Sequence, residues 1–197
     1  MILDLFFPKQ CLECKKSGRY VCDSCFEKVL DGTFDKNNFS IFKYKGVIKK
    51  AIISIKYKFA TDICEELVDR CIERLKIKKF HDVCLVSIPL HWHRENLRGF
   101  NQSEIIGEKL AKAMNWKFVP DLLTRNRSTI PQVGLRGFAR RQNLSGVFSV
   151  KPNHLISLNS NILLFDDVYT TGSTINEAKK TLKNIGFKKV YNLTIAR

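Results

Sequence analysis

The sequence lacks several features that would assign its class at once. None of its apolar runs reaches the roughly 18 residues that a helix needs to cross a bilayer, and it has no internal repeat, heptad array or low-complexity tract. The first eight residues carry an acid inside their apolar stretch and no basic leader, so a signal peptide is not expected. We therefore expect a cytoplasmic protein without a transmembrane segment, and peripheral contact with a membrane surface stays open.

Acidic residues are also scarce. Lysine and arginine number 34 against 19 aspartate and glutamate residues, which gives a net charge of +15 in a chain of 197 residues. Such a field attracts polyanions, namely nucleic acid, phosphorylated metabolites or an anionic membrane surface. A solvated basic surface without a partner accounts for the same count. The length and the 44% hydrophobic content favour one well-packed domain with a small appendage.

Four of the seven cysteines form two C-x-x-C pairs near the start of the chain, Cys11 with Cys14 and Cys22 with Cys25. Each pair directs two thiolates to one point, so that together they complete a tetrahedral site for a structural Zn²⁺. Redox dithiols or disulfides are the alternative, which a reducing compartment disfavours. We predict a zinc-binding module over residues 1–35 and a main domain over 36–197.

The main domain has the pattern of an α/β protein. Helices are predicted over Val47–Phe59 and Thr61–Lys76, and helical spacing places Cys64 and Cys71 in the core. Strand and helix patterns alternate from residue 82, which predicts a mainly parallel sheet flanked by helices. Three apolar runs are predicted as its buried strands: Val83–Ile88, Asn161–Phe165 and Lys189–Ile195. The outward face of the first helix is predicted to carry Lys45, Lys49, Lys50, Lys56 and Lys58.

The most specific motif runs from Asp166 to Thr174 and follows a strand that is predicted to end at Phe165. Backbone N–H groups of residues 170–174 would gather at the start of a helix, where an anionic phosphate is stabilised. Gly172 lets the backbone turn close to a ligand, and the two acids suit a sugar diol. A sugar phosphate therefore fits the whole segment. The GxxxxGK[ST] pattern is absent, which excludes a Walker loop.

Signals for the ends of this last helix lie on both sides of it. Thr174 and Glu177 have the spacing of a capping box, and Gly186 is the expected stop. A similar signal, Asn101 with Glu104, predicts the start of a helix after the first buried strand.

The Asp166–Thr174 segment resembles the phosphoribosyl-pyrophosphate (PRPP) motif of type I phosphoribosyltransferases. More narrowly, the chain is similar to the ComF (ComFC-type) competence proteins over nearly its full length. Phe165 and Ser173, where Val and Ala are expected, are mild departures. Besides the four cysteines and the acidic loop, the similarity rests on Ser87–His91, Arg94, Arg98–Gln102, Gln132, Leu135, Arg140, Asn143, Phe148 and Ala196-Arg197.

The resemblance implies a type I phosphoribosyltransferase-like fold that binds PRPP together with Mg²⁺. Asp166 and Asp167 would hold the ribose diol and, if the protein is an enzyme, act in catalysis, Asp167 by stabilising positive charge on the ribose. The segment from Pro89 to Arg98 would bind pyrophosphate, although Arg98 also fits a surface arginine, and His91 with His93 a metal pair. The implied PRPP-binding set is Asp166, Asp167, Val168, Tyr169, Thr170, Thr171, Gly172, Ser173, Thr174, Pro89, Leu90, His91, Arg94 and Arg98.

Two basic regions are candidates for contact with a polyanion. Residues 125–143 are similar to the flexible flap of these enzymes, and an ordered surface loop is the alternative. Nucleic-acid contacts are predicted at Lys49, Lys50 and Arg140. Aromatic residues among the nearby lysines could stack on bases, although core packing is expected for at least two of Tyr44, Tyr57 and Phe59.

Three functions follow from these patterns. The first is a ComF-like protein for natural transformation, which binds PRPP and Mg²⁺ and acts with single-stranded DNA and other competence proteins at the inner membrane. The second is a working phosphoribosyltransferase of nucleotide salvage, for which no base-recognition pocket can be assigned. The third is a zinc-dependent docking or DNA-binding module that has kept the fold but not the ligand. Turnover stays open, because a binding loop does not by itself establish chemistry.

Overall fold

A computed structural model describes residues 8–35, 37–58, 60–76, 82–90, 96, 99–126, 146–152 and 154–197. Within these ranges, a five-stranded parallel sheet has the order β1-β7-β6-β2-β3. Its strands are β1 (Asn38–Phe42), β2 (Val83–Ser87), β3 (Lys117–Phe118), β6 (Asn161–Val168) and β7 (Lys189–Ala196). A separate antiparallel pair joins β4 (Leu123–Arg125) to β5 (Phe148–Val150).

The centre of the sheet is fully covered. Every residue of β2 is buried, and so are Ile162–Phe165 of β6. Continuous apolar runs of this kind suit strands that are covered on both faces. The prediction of a mainly parallel sheet flanked by helices is confirmed.

The described helices are α1 (Asp23–Phe26), α2 (Gly46–Lys58), α3 (Thr61–Leu75), α4 (Gln102–Met114) and α5 (Ser173–Ile185). A short 3₁₀ turn, Glu27–Val29, follows α1. Helical spacing predicts that two sets of apolar residues face inward, and all are buried: Val47, Ile48, Ala51, Ile52 and Ile55 of α2, and Ile63, Leu67, Cys71 and Leu75 of α3. Cys64 and Cys71 also lie in the core, as predicted.

The helix ends bear out two of the three capping predictions. Asn101 caps α4, with its side-chain oxygen accepting the Ser103 N–H at 3.1 Å. Gly186 ends α5 in the left-handed conformation at φ 112°. The capping box of Thr174 and Glu177 is wrong, because the Glu177 carboxylate instead accepts the Gly146 N–H at 2.7 Å. Glu177 thereby ties α5 to the residues that lead into β5.

Two apolar clusters lie in the described part of the chain. One contains buried residues of α5, β4 and β5, and the other contains those of α2 and α3. The second cluster also includes Cys11, Cys22 and Cys25, so the cysteine segment shares a core with the sheet domain. The boundary at residue 35 stays a prediction. Within the described ranges, none of the helices combines the length and apolarity required to cross a membrane.

Candidate functional site

Asp166 and Asp167 lie near the carboxyl end of β6. The prediction that this strand ends at Phe165 is wrong, because β6 continues to pair with β7 through Asp166 opposite Thr194 and Val168 opposite Ala196. The acids are therefore held by the sheet ladder itself. This makes them more rigid than two residues at the start of a loop.

The start of α4 supplies neutral partners to both acids. Ser103 Oγ donates to Asp166 Oδ1 at 3.1 Å, and Gln102 Nε2 donates to Asp167 Oδ2 at 2.9 Å. The backbone N–H of Asp167 also donates to Asp166 Oδ1, at 2.8 Å. Both α4 residues are buried, which makes them part of the site's fixed frame.

A lysine completes the acidic cluster. Lys56 in the last turn of α2 places Nζ 2.7 Å from Asp167 Oδ2, with 20% of the lysine side chain and 6% of the aspartate side chain exposed. Its prediction as a residue of the outward face is wrong. Lys56 follows buried Ile52 by one helical turn, and its long side chain reaches the acid pair from the border of the apolar face.

The electrostatics of the pair favour a proton on Asp166. Burial and the neighbouring negative charge of Asp167 raise the pKa of Asp166 to about 7. Lys56 and the Ser103 hydroxyl act in the opposite direction, because each stabilises the ionised carboxylate. The site is therefore sensitive to protonation near neutral pH.

The loop after β6 borders a small polar cavity that is partly open to solvent. Asp166 lines it, whereas Asp167 is turned toward α2 and α4, where its described partners lie. Among residues with no predicted role, Thr194 of β7 also lines the cavity and bonds to Ser40 at 2.8 Å between hydroxyl oxygens. The predicted loop residues that line the cavity are Val168, Tyr169, Thr170, Gly172, Ser173 and Thr174.

The geometry of the loop suits an anion. Gly172 is the residue before the 13-residue helix α5, with φ 72°. The first N–H groups of such a helix have no partner within the helix and attract negative charge. Hydroxyl groups lie nearby, with Thr171 Oγ1 2.8 Å from Ser173 Oγ. The Arg197 guanidinium stacks over the Tyr169 ring at 5.0 Å and adds a cation beside the loop.

Only part of the predicted pyrophosphate segment is described. Pro89 and Leu90 follow β2 and are half-buried. His91, Arg94 and Arg98 lie outside the described residues, as does Arg140 of the predicted flap.

The four predicted zinc ligands converge on one point. The Sγ atoms of Cys11, Cys14, Cys22 and Cys25 all lie within 4.8 Å of one another, and those of Cys14 and Cys22 are 3.6 Å apart. Four thiolates on one Zn²⁺ at about 2.3 Å would be separated by about 3.8 Å. A disulfide needs about 2.05 Å, and all four cysteines are free. The cluster is therefore compatible with a structural zinc.

The thiols differ in acidity. A hydrogen bond with the Ser24 hydroxyl lowers the pKa of Cys22 to about 6, whereas burial raises that of Cys25 to about 12. A metal ion binds the thiolate form of cysteine, so its binding displaces the proton that a buried thiol such as Cys25 otherwise keeps. The donor set thus fits a metal.

The cysteine segment is anchored on α3. The Glu66 carboxylate accepts the N–H groups of Tyr20 and Val21 at 3.0 and 2.8 Å. Arg70, which is buried, pairs with Asp23 and donates to the Val21 carbonyl at 3.1 Å. These contacts hold the segment against the sheet domain.

The predicted nucleic-acid face on α2 is accessible. Lys49 is exposed above the Tyr44 ring at 5.9 Å, and half-exposed Lys50 pairs with Glu13 at 2.7 Å. Tyr57 is 74% exposed, so the expected core packing of at least two of the three aromatics depends on Tyr44 and Phe59 and stays a prediction. Tyr44 is half-buried, and Phe59 lies outside the described residues.

Curated proteins with roles in competence and DNA use are similar to this chain. Competence protein ComFC of Streptococcus pneumoniae is 32% identical over 158 residues, which cover 80% of this chain and 67% of the relative. Competence protein F of Haemophilus influenzae is 29% identical over 75% of this chain and 67% of its own. The DNA utilization protein YhgH of Escherichia coli K12 is 33% identical, over 52% of this chain and 44% of its own. The chain belongs to the ComF (ComFC-type) family of competence proteins.

Solved structures similar to the chain include phosphoribosyltransferases. Adenine phosphoribosyltransferase of Trypanosoma brucei has a TM-score of 0.44 and 13% identity, covering 83% of this chain and 72% of its own. A hypoxanthine phosphoribosyltransferase of Staphylococcus aureus has a TM-score of 0.38 and 14% identity, covering 66% and 59%. At these scores neither similarity bears on ligand or activity. No protein-family model matches the chain.

Proposed function

We propose that this protein binds PRPP with Mg²⁺ in the cavity beside Asp166, as part of a role in natural transformation. The main support for this proposal is that an acid, a hydroxyl-rich loop and the start of a long helix line one small cavity. Phosphate suits the helix start, and a sugar diol suits the carboxylate. A sugar phosphate meets both requirements at once.

Different residues are proposed to bind different parts of the ligand. Residues 170–174 bind the 5′-phosphate, and Asp166 with Asp167 accepts hydrogen bonds from the ribose hydroxyls. The segment from Pro89 to Arg98 binds the pyrophosphate, and Mg²⁺ neutralises part of that charge. The protein acts on the cytoplasmic side of the inner membrane, where it handles incoming single-stranded DNA together with other competence proteins.

The four-cysteine cluster is proposed to hold one structural Zn²⁺. Metal analysis of protein purified without chelators should find one zinc per chain, and Cys22→Ser should lose it. Cys64→Ala is the matched control, because this buried cysteine lies outside the cluster. Protein free of zinc would overturn the assignment.

Calorimetric titration tests the ligand. PRPP with Mg²⁺ is added at pH 8, where Asp166 is ionised, to the wild type, Asp166→Asn and Asp69→Asn, the last an exposed aspartate of α3. Asp166→Asn should weaken binding at least tenfold, because an amide accepts fewer hydrogen bonds than a carboxylate, and Asp69→Asn should not. Absence of binding by the wild type would overturn the proposal.

A salvage enzyme is the alternative at the same site. An assay of pyrophosphate release from PRPP, with common nucleobases as acceptors, distinguishes this function from the proposed role. Release with one base would establish turnover, and failure with all of them would leave a PRPP-binding competence protein.

A further inference from the structure

We infer that Lys56 is a positioning residue of the acidic site, which holds Asp167 and offsets its charge so that Asp166 can receive a ligand as a carboxylate. The inference rests on the proposed function insofar as the ligand is a sugar phosphate. The Lys56–Asp167 contact itself does not depend on it.

Each of the two carboxylates makes its described contacts through only one of its two oxygens. Lys56 Nζ and Gln102 Nε2 both contact Oδ2 of Asp167, while Ser103 Oγ and the Asp167 N–H both contact Oδ1 of Asp166. Among the described residues, the opposite oxygen of each carboxylate has no hydrogen-bond partner. Asp166 is the acid that lines the cavity, and its Oδ2 is therefore available to accept a hydrogen bond from a ligand hydroxyl.

Lys56 is the cation in this frame. The groups that face the acid pair from the described elements are Lys56 of α2, Gln102 and Ser103 of α4, Thr194 of β7 and the hydroxyl groups of the loop after β6. All except Lys56 are neutral. Because both partners are largely shielded from water, their attraction is stronger than that of a surface pair.

The position of Lys56 links the acids to the rest of the molecule. The same helix contacts the cysteine segment through Lys50 and Glu13, 2.7 Å apart. The last turn of α2 thus contacts Asp167 through Lys56. An earlier turn forms an ion pair with Glu13, which lies between the predicted zinc ligands Cys11 and Cys14. The charge partner is therefore carried by a helix that is anchored at two places.

The first test needs no ligand. Carboxyl NMR titration should place the upper midpoint of the acid pair near pH 7 in the wild type, and at least one pH unit higher in Lys56→Met, because Asp167 then repels a second negative charge without compensation. Lys56→Arg should preserve the wild-type midpoint. Lys49→Met, on the exposed face of the same helix, should leave it unchanged.

A double variant covers the case in which Lys56→Met fails to fold. Lys56→Met with Asp167→Asn removes both charges of the pair, so the Asp166 midpoint should fall to or below that of the wild type. An unchanged midpoint in Lys56→Met, or a midpoint in the double variant above that of the wild type, would overturn the inference.

The second test uses PRPP with Mg²⁺ at pH 6.5 and 8.5. With midpoints near pH 7 and 8, Lys56→Met should bind about eightfold more weakly than the wild type at pH 6.5 and should nearly recover at pH 8.5, where most of the acid pair is ionised without the lysine. Equal weakening at both pH values would show a merely structural role and overturn the inference. A titration shift without PRPP binding by the wild type would support Lys56 as the charge partner and reject only the proposed ligand.

Discussion

At the scale of single residues, Gly172 controls the shape of the loop between β6 and α5. It combines φ 72° with a position under Tyr169, where an added Cβ would lie 2.2 Å from the tyrosine hydroxyl oxygen. Gly146 has a similar φ of 67°, but an added Cβ there would meet none of the described residues within 4 Å. Comparing alanine substitutions at these two glycines therefore separates the cost of backbone strain from the cost of steric crowding.

We predict that Gly172→Ala lowers the free energy of unfolding by about 2–3 kcal/mol, and Gly146→Ala by about 1 kcal/mol. Left-handed backbone costs about 1 kcal/mol for a residue with a Cβ, and displacing the Tyr169 ring adds about 1–2 kcal/mol. Urea unfolding measures both variants. Equal losses would mean that Tyr169 moves aside freely and that crowding at Gly172 has no energetic weight.

At the scale of secondary-structure elements, α3 is the platform for the cysteine segment. Arg70 lies at its centre, buried, with its guanidinium 4.5 Å from the centre of the Phe26 ring and bonded to the Val21 carbonyl. Arg19 approaches the same Asp23 at 3.6 Å from an exposed position. The two arginines share a partner and differ in burial.

We predict that Arg70→Met lowers the free energy of unfolding by about 2 kcal/mol, since it removes a charged hydrogen bond and a cation–π contact. Arg19→Met should cost less than about 0.5 kcal/mol, as is usual for an exposed pair. Urea unfolding gives both values, and metal analysis should find the same zinc content in both. A loss of zinc in Arg70→Met would show that docking on α3 is required to form the cluster itself.

At the scale of the whole molecule, the charge of +15 is unevenly distributed. The outer face of α3 is acidic, with Asp62, Glu65, Asp69 and Glu73 exposed, whereas α2 exposes Lys49 and Lys50. A polyanion is therefore attracted to one side of the helical layer more than to the other. Exposed Tyr57 lies on the basic helix, where bases could stack.

We predict that changing Lys49 and Lys50 to Ala lowers the salt dependence of single-stranded DNA binding. Loss of two phosphate contacts should reduce the slope of log K against log salt by about 1.4. Changing Lys188 and Lys189 to Ala removes the same charge from exposed positions at β7 and is the matched control. Equal slopes in the two double variants would exclude a specific role for the α2 face.

Local patterns were sufficient for the main helices, the three buried strands and the cysteine cluster, but not for the short strands β3, β4 and β5. Apolar spacing located α2, α3 and the three buried strands, because helical and strand periods depend on neighbouring residues alone. The two C-x-x-C pairs located the four clustered cysteines by the same kind of short-range geometry. Glu177 shows where this stops, because its spacing fits a cap while its carboxylate bonds to Gly146, 31 positions away in the chain.

The sequence by itself therefore determined the parallel α/β architecture, the cysteine cluster and the acidic motif, all of which are carried by contiguous motifs. Only the tertiary structure decided that Asp166 lines the cavity while Asp167 is held by Lys56 of α2 and Gln102 of α4. Asp167 lies 111 positions from Lys56 and 65 from Gln102. Contacts over such separations depend on how distant elements pack, and no local period specifies that packing.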